Sequence, residues 1–167
     1  MKKYLPILVV VAILAVAIPL LARHRSEPGL SVGQVAPDFT LQDLDGSSIA
    51  LSDLHGQVVM VNFWSATCPP CREEMPDMQK VYEELNNDGF SILAVNVGQE
   101  PLHMIRDFLG ENGYTFPVVK DDGQVSLLYE VQFIPKTLLL DREGVVRFVT
   151  VRPVDEHELR ELVEPWL

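Results

Sequence analysis

The sequence predicts one α/β domain, a central mixed sheet flanked by helices, entered through an N-terminal β-hairpin. Three observations predict it. Two runs, Gln57 to Trp64 and Phe90 to Val97, are apolar and β-branched almost without interruption, as strands buried on both faces are. Segments whose apolar residues recur at three and four follow each of them. The chain then ends in a second hairpin and a helix, which turns the later strands antiparallel and makes the sheet mixed.

The first segment lies ahead of that domain. From Tyr4 to Ala22 no charged residue occurs for 19 positions, close to the ~20 that cross a bilayer as a helix. Residues 1–25 therefore read as a membrane anchor or signal segment. A cleaved signal peptide competes, because Ala15-Val16-Ala17 fits a small-x-small cleavage site. The apolar run continues through Ile18-Pro19-Leu20-Leu21, longer than a secretory core needs, which favours the anchor. Lys2 and Lys3 nearly balance Arg23 and Arg25, and the free amino group tips the N-terminus toward the cytoplasm. The expected location is the cell membrane, single-pass, with the domain on the extracytoplasmic side; cleavage would make the domain secreted. Residues 26–33, with Pro28 and two glycines, read as a linker, and residues 34–167 as the domain.

Phe39 to Leu41 and Ser47 to Leu51 flank the turn signal Asp43-Leu44-Asp45-Gly46, so a hairpin opens the domain. Ser52-Asp53-Leu54 suggests one capped helical turn before the first central strand. From Pro69 onward, Met75, Met78, Tyr82 and Leu85 mark one face of a helix that Asn86-Asn87-Asp88-Gly89 stops. Pro101 to Asn112 carries Leu102, Ile105, Phe108 and Leu109 on one face, with Pro101 expected at the first helical position and Gly113 just past the end. Phe116 to Val119 reads as a short strand and Gln124 to Val131 as a short helix. Thr137 to Leu140 and Val145 to Val151 bracket Asp141-Arg142-Glu143-Gly144 as the closing hairpin. Leu159, Leu162, Val163 and Trp166 give the last helix, Asp155 to Trp166, its apolar face.

Without its first 25 residues the chain has 142, enough for one domain that buries roughly 68–70% of its unfolded surface without a disulfide framework. That domain carries 9 basic residues against 24 acidic ones, a formal charge of −15. Such a surface argues against nucleic acid and anionic lipid as partners through broad electrostatics, and it favours solubility.

The two cysteines of the chain stand three apart in Trp64-Ser65-Ala66-Thr67-Cys68-Pro69-Pro70-Cys71. If Cys68 sits at a strand-to-helix junction, both sulfurs occupy neighbouring positions of the first turn and can close a disulfide with little backbone movement. Free N–H groups and the partial positive charge of a helix start favour a thiolate, and cysteines so placed reach pKa values of roughly 3.5–7.5. Cys68 becomes the attacking thiol, and Cys71, one turn into the helix and deeper, resolves the mixed disulfide. Pro69 suits a first helical position because its missing N–H would lack an intrahelical partner. Pro70 withholds another N–H, so the two prolines together tune the redox potential. Arg72 favours negative charge on sulfur, while Glu73 and Glu74 oppose it and favour the helix. The expected reactive group is a redox-active Cys68–Cys71 disulfide, with no other cofactor and no metal. A structural zinc would need four ligands, and His24, His55, His103 and His157 lack ligand spacing. A purely structural disulfide would close too small a loop to stabilise much.

Ala36-Pro37-Asp38-Phe39-Thr40-Leu41, Asp45-Gly46, Leu51-Ser52-Asp53-Leu54-His55-Gly56, Val61-Asn62-Phe63-Trp64 and the Cys68-Pro69-Pro70-Cys71 motif resemble, in that order, the membrane-anchored thioredoxin-like TlpA/ResA family. The likeness continues through Ala94-Val95-Asn96-Val97-Gly98, Phe116-Pro117-Val118-Val119 and Ile134-Pro135-Lys136-Thr137. It implies a thioredoxin-like fold and a thiol-disulfide oxidoreductase. The substrates it implies are disulfide-bearing exported proteins, for example apocytochrome c before haem attachment, and the electron donor is a transmembrane thiol carrier. It also implies that Pro135 is a cis-proline facing the dithiol, with Ile134 offering its backbone to a substrate strand.

Three positions bear on how far the pattern carries over. Thr67 precedes the first cysteine where relatives often have tryptophan. Asn62 stands where cytoplasmic thioredoxins keep a buried acid, as it often does in this family. Where some relatives have an acid directly after Asn-Val-Gly, this chain has Gln99 and then Glu100. Acids are mostly exposed, so Glu100 is expected as a solvated loop charge, with support of the dithiol as the alternative. Trp64 is expected in the core, with lining of the site as its alternative.

Two other functions fit parts of the chain. A peroxiredoxin-like peroxidase using Cys68 shares the Ala-Pro-Asp-Phe opening, and Ser65 mimics the hydroxyl residue of its active loop, although a second cysteine at three is not that family's usual arrangement. A membrane-anchored copper-binding chaperone shares the fold. That group separates its cysteines by three residues and adds a distant histidine, which the loop before Pro135 lacks.

Overall fold

The computed structural model describes residues 30–167. The anchor or signal expected at residues 1–25 and the first part of the linker lie outside the described residues. Gly33 is already tied to the domain, its N–H donating to the Val146 carbonyl at 2.7 Å.

In chain order the elements are β1 (Thr40–Asp43), β2 (Ser48–Ala50), β3 (Val58–Trp64), α1 (Pro69–Leu85), β4 (Phe90–Asn96), α2 (Leu102–Asn112), β5 (Val118–Lys120), α3 (Gln124–Leu128), β6 (Lys136–Leu140), β7 (Val146–Thr150) and α4 (Glu156–Val163). The strands form one sheet in the order β2-β1-β5-β4-β3-β6-β7. β3, β4 and β5 run parallel, and β6, β7 and the β1–β2 hairpin are antiparallel additions at the two edges. This is the expected mixed sheet.

The period of two in β3 explains why its sequence is apolar throughout. Val58, Met60 and Trp64 enter a core built with α1, α2 and α4, while Val59, Val61 and Phe63 enter a second core closed by α3 and the N-terminal segment. A strand covered on both faces has no position left for a solvated side chain, and all seven residues are buried. The reactive end of the molecule follows from the same topology. The loop after the carboxyl end of β3 carries Cys68, and the residue before β6, which is hydrogen-bonded to β3, is Pro135.

Several boundaries differ from expectation for local reasons. Pro101 is the N-cap of α2 and not its first residue: its ψ of 153° is extended, and its carbonyl accepts the first helical bond, from Met104. α3 stops at Leu128, short of Val131. Glu130 takes a left-handed φ of 50°, and the Val131 N–H turns back to the Ser126 carbonyl at 2.8 Å. This stop usually uses glycine, and no glycine announces it here. β5 begins at Val118, after Pro117, which has no N–H to give a ladder. The last helix tightens into a 3-10 turn over Glu164–Trp166, where Pro165 cannot donate to the preceding turn. Arg147 holds that turn in place, lying over the Trp166 ring at 4.4 Å while pairing with the buried Asp141 at 2.6 Å.

Candidate active site

Cys68 is the N-cap of α1, with extended backbone at φ −92° and ψ 109°. Pro69 and Pro70 fill the first two helical positions, where a missing N–H costs no intrahelical bond. The turn is closed as a Cys68–Cys71 disulfide, with the two Cα atoms 5.3 Å apart. The Cys71 N–H donates to Cys68 Sγ at 3.3 Å. The two sulfurs are unequal in access: Cys71 is fully buried in the α1 core, whereas Cys68 is half-buried and packs at its edge. Across the gap, the Ile134 carbonyl oxygen lies 3.8 Å from Cys68 Sγ, and the Ile134–Pro135 peptide bond is cis. Cys68, Cys71, Ile134, Pro135, Pro69 and Pro70 are thus brought together.

Trp64 is in the core. It is fully buried in the same cluster as Cys71, its ring is 5.8 Å from that of Phe108, and its indole N–H has no hydrogen-bond partner among the described residues.

Glu100 corrects the expectation of a solvated loop charge. It is 8% exposed, and its carboxylate accepts from the Ala66 N–H (2.7 Å), Asn96 Nδ2 (2.9 Å) and Ser65 Oγ (3.3 Å). Burial pushes its pKa up, but the donors Asn96, its own N–H, Ala66 and Ser65 outweigh that and hold it below the usual value. Gly98 makes room for this: a Cβ there would overlap the Glu100 carboxylate. Ser65, the hydroxyl that mimics a peroxidase loop, is committed to Glu100 and to Thr67, whose Oγ1 is 2.9 Å from its own. The acid therefore anchors the Ser65–Thr67 loop that presents Cys68. Glu100→Ala, which strands the buried Ala66 N–H, is expected to cost about 2 kcal/mol of stability in urea denaturation.

Glu74 is the residue that the sequence reading missed. Expected only to oppose thiolate charge and favour the helix, it is 2% exposed. Its Oε1 accepts from Asn62 Nδ2 at 2.8 Å and its Oε2 from the Val154 N–H at 3.1 Å. Asn62 also donates to Thr137 Oγ1 at 3.0 Å. Burial raises the Glu74 pKa to about 7, against the lowering by the Asn62 and Val154 donors. Residues three apart on a helix share a face, so this carboxyl follows Cys71 into the same core, beside Asn62. A signal existed: position 74 falls inside the apolar stripe of Cys71, Met75 and Met78, where a surface acid has no place.

Comparison with known proteins agrees with this geometry. Residues 32–149 match the AhpC/TSA family. The thiol-disulfide oxidoreductase ResA of Bacillus subtilis is 38% identical over 148 residues, covering 86% of this chain and 82% of that protein. A secreted thiol-disulfide isomerase from Corynebacterium glutamicum superposes with a TM-score of 0.74 at 30% identity, over 80% of this chain and 84% of that one. StoA from Bacillus subtilis superposes with a TM-score of 0.67 at 28% identity, over 77% and 97%. With a thioredoxin-like fold and a cysteine pair as its redox group, the chain belongs to the AhpC/TSA family and, within it, to the ResA-type thiol-disulfide oxidoreductases.

Proposed function

We propose that this oxidoreductase reduces disulfides in exported proteins, tethered by residues 1–25 on the extracytoplasmic side of a membrane and recharged by a transmembrane thiol carrier. The observation that carries the direction is the poverty of donors at the reactive sulfur. Among the described residues, Cys68 Sγ accepts from the Cys71 N–H alone, because Pro69 and Pro70 have none to give. A thiolate with little support makes the dithiol form unfavourable relative to the disulfide, and such a couple gives its electrons away. The −15 charge of the domain acts in the same direction.

In the proposed cycle the Cys68 thiolate attacks a substrate disulfide, forming one S–S bond and expelling one substrate thiolate. Cys71, sealed from the substrate, then attacks Cys68 Sγ, closes the Cys68–Cys71 bond and expels the second thiolate. Two electrons and the two thiol protons pass to the substrate. The protein is left oxidised, and an external dithiol must reduce it again. The Ile134 carbonyl beside Cys68 supports docking of an extended substrate strand, and the family resemblance points to apocytochromes c as one such substrate.

The test is the reduction potential of the Cys68–Cys71 couple, obtained by equilibrating the solubilised chain in thiol buffers and trapping free thiols. A value near or below about −250 mV is expected of a reductase. A value near about −120 mV would mark a donor of disulfides and overturn the proposed direction.

A further inference from the structure

We infer that Phe133 selects the substrate of this site, favouring disulfides flanked by a bulky apolar residue, and that buried Lys136 is the positioning residue that holds the Phe133 segment in place. This inference rests on the reductase reading and narrows its substrate class to extended polypeptide with an apolar side chain one or two residues from the cysteine.

Phe133 is 70% exposed, whereas Phe63, Phe90 and Phe116 are buried. Its neighbour in the chain is Ile134, whose carbonyl is 3.8 Å from Cys68 Sγ. One residue of chain spans at most about 3.3–3.6 Å, so the exposed aromatic belongs to the residue next to the one whose carbonyl faces the reacting sulfur. The segment leading to it also exposes Leu127 (79%) and Leu128 (47%), and an open groove of about 370 Å³ runs past Leu127, Glu130, Val131 and Gln132. That groove ends at Gln132, the residue before Phe133, so it and the exposed phenyl ring lie on neighbouring stretches of one segment. An apolar side chain displayed at a reaction site gains nothing until a partner covers it.

The segment is not loose. Tyr129 is fully buried, its hydroxyl donates to the Pro37 carbonyl at 2.6 Å, and its ring packs on Phe39 and Phe63. Lys136, directly after Pro135, is 7% exposed, and its ammonium donates to the carbonyls of Tyr129 (2.7 Å) and Glu130 (3.3 Å). A buried lysine is costly unless its donors are matched. Here it is matched to the carbonyls left over at the end of α3, bracketing residues 131–135 between two fixed points. The bracket gives Phe133 one position relative to Cys68, which is what a selecting side chain requires.

The experiment uses the reduced full-length protein and three disulfides: two synthetic peptides differing only in leucine or serine beside the first cysteine, and hydroxyethyl disulfide, too small to span to Phe133. In single turnover, wild type is expected to reduce the leucine peptide with a second-order rate constant about tenfold above the serine peptide, the advantage gained by partly burying one large apolar contact. Phe133→Ser is expected to erase that preference without changing the hydroxyethyl disulfide rate or the reduction potential, and Phe133→Leu to restore most of it. Lys136→Met is expected to lower the second-order rate constant several-fold more for the leucine peptide than for the serine peptide, collapsing the preference as Phe133→Ser does. A preference that survives Phe133→Ser, or an equal loss on all three disulfides, overturns the inference alone. A wild-type protein inert toward all three overturns the reductase reading and takes this inference with it.

Discussion

Cys71→Ser is expected to stop turnover and leave the protein joined to its substrate through Cys68. Cys68 is the half-exposed sulfur and the one beside the Ile134 carbonyl, whereas Cys71 is fully buried. An incoming disulfide therefore meets Cys68 first, and the intermediate can be released only from inside. Removing the internal thiol leaves that intermediate with no partner except an external thiol. Multiple turnover should fall by at least about 10³, as when one member of a catalytic unit is deleted. The adduct should appear on a non-reducing gel and disappear with dithiothreitol. Cys68→Ser should lose activity to the same extent and form no adduct, because the sulfur that remains is sealed. The same pair of variants weighs the peroxidase alternative. A peroxidase acting through Cys68 would still oxidise with hydrogen peroxide in the Cys71→Ser form and turn over with added thiol. Sustained peroxide consumption by that variant would displace the disulfide-reductase reading, and an adduct at Cys71 in Cys68→Ser would reverse the assigned order of the two cysteines.

How much of this was legible in the sequence depends on the range of the signal. β3 and β4 could be read because burial on both faces leaves an unbroken apolar run, and α1 because its stripe and its Asn-Asn-Asp-Gly stop are local. Cys68 and Cys71 were legible for the same reason, since spacing and helix-start chemistry act within one turn. The end of α3 was not, because Glu130 adopts a left-handed φ that its side chain does not favour. Tertiary contacts hold it there, including the Lys136 ammonium on its carbonyl. Glu100 was misplaced by the rule that acids stay in water, and the burial of Glu74 went unread because it was weighed only for its charge near the helix start. Each is buried because donors distant in sequence meet it: Ala66 and Ser65 for Glu100, Asn62 and Val154 for Glu74. Such pairings are products of the sheet topology, and the one local hint was the place of Glu74 inside the apolar stripe of α1. The asparagine at position 62 was a clue of a different kind. A buried amide on a strand needs a partner for its N–H groups, and Glu74 of the facing helix accepts one of them.

Glu74→Gln is expected to slow release of the mixed disulfide about 100-fold while making the folded protein more stable above neutral pH. The two effects have one cause. Cys71 must lose its proton as it attacks Cys68, and it sits in an apolar core with water excluded. Glu74 lies one turn further along the same face and is buried with Cys71, and its pKa of about 7 suits a base working near neutrality, so we assign that proton to it. General bases of this kind contribute roughly 10²–10⁴ in rate. The stability effect follows from the raised pKa. Folding binds the Glu74 proton more tightly than the unfolded chain does, so this group's contribution is fully present below about pH 4.5 and is lost as pH rises through about 7. The loss amounts to roughly 3 kcal/mol, from 4.5 to about 7 at some 1.4 kcal/mol per pH unit. Glutamine avoids it and forfeits one accepted hydrogen bond, worth about 1 kcal/mol. Urea denaturation at pH 8 should therefore find Glu74→Gln about 2 kcal/mol more stable than wild type, and the difference should shrink or reverse at pH 5. Single-turnover rates should lose their inflection near pH 7 in the variant. A variant that is stabilised yet keeps the wild-type rate and inflection would make Glu74 a buried acid with no part in the chemistry. One that is slowed yet not stabilised would mean that the carboxyl is already neutral at pH 8, and the proton would then need another acceptor.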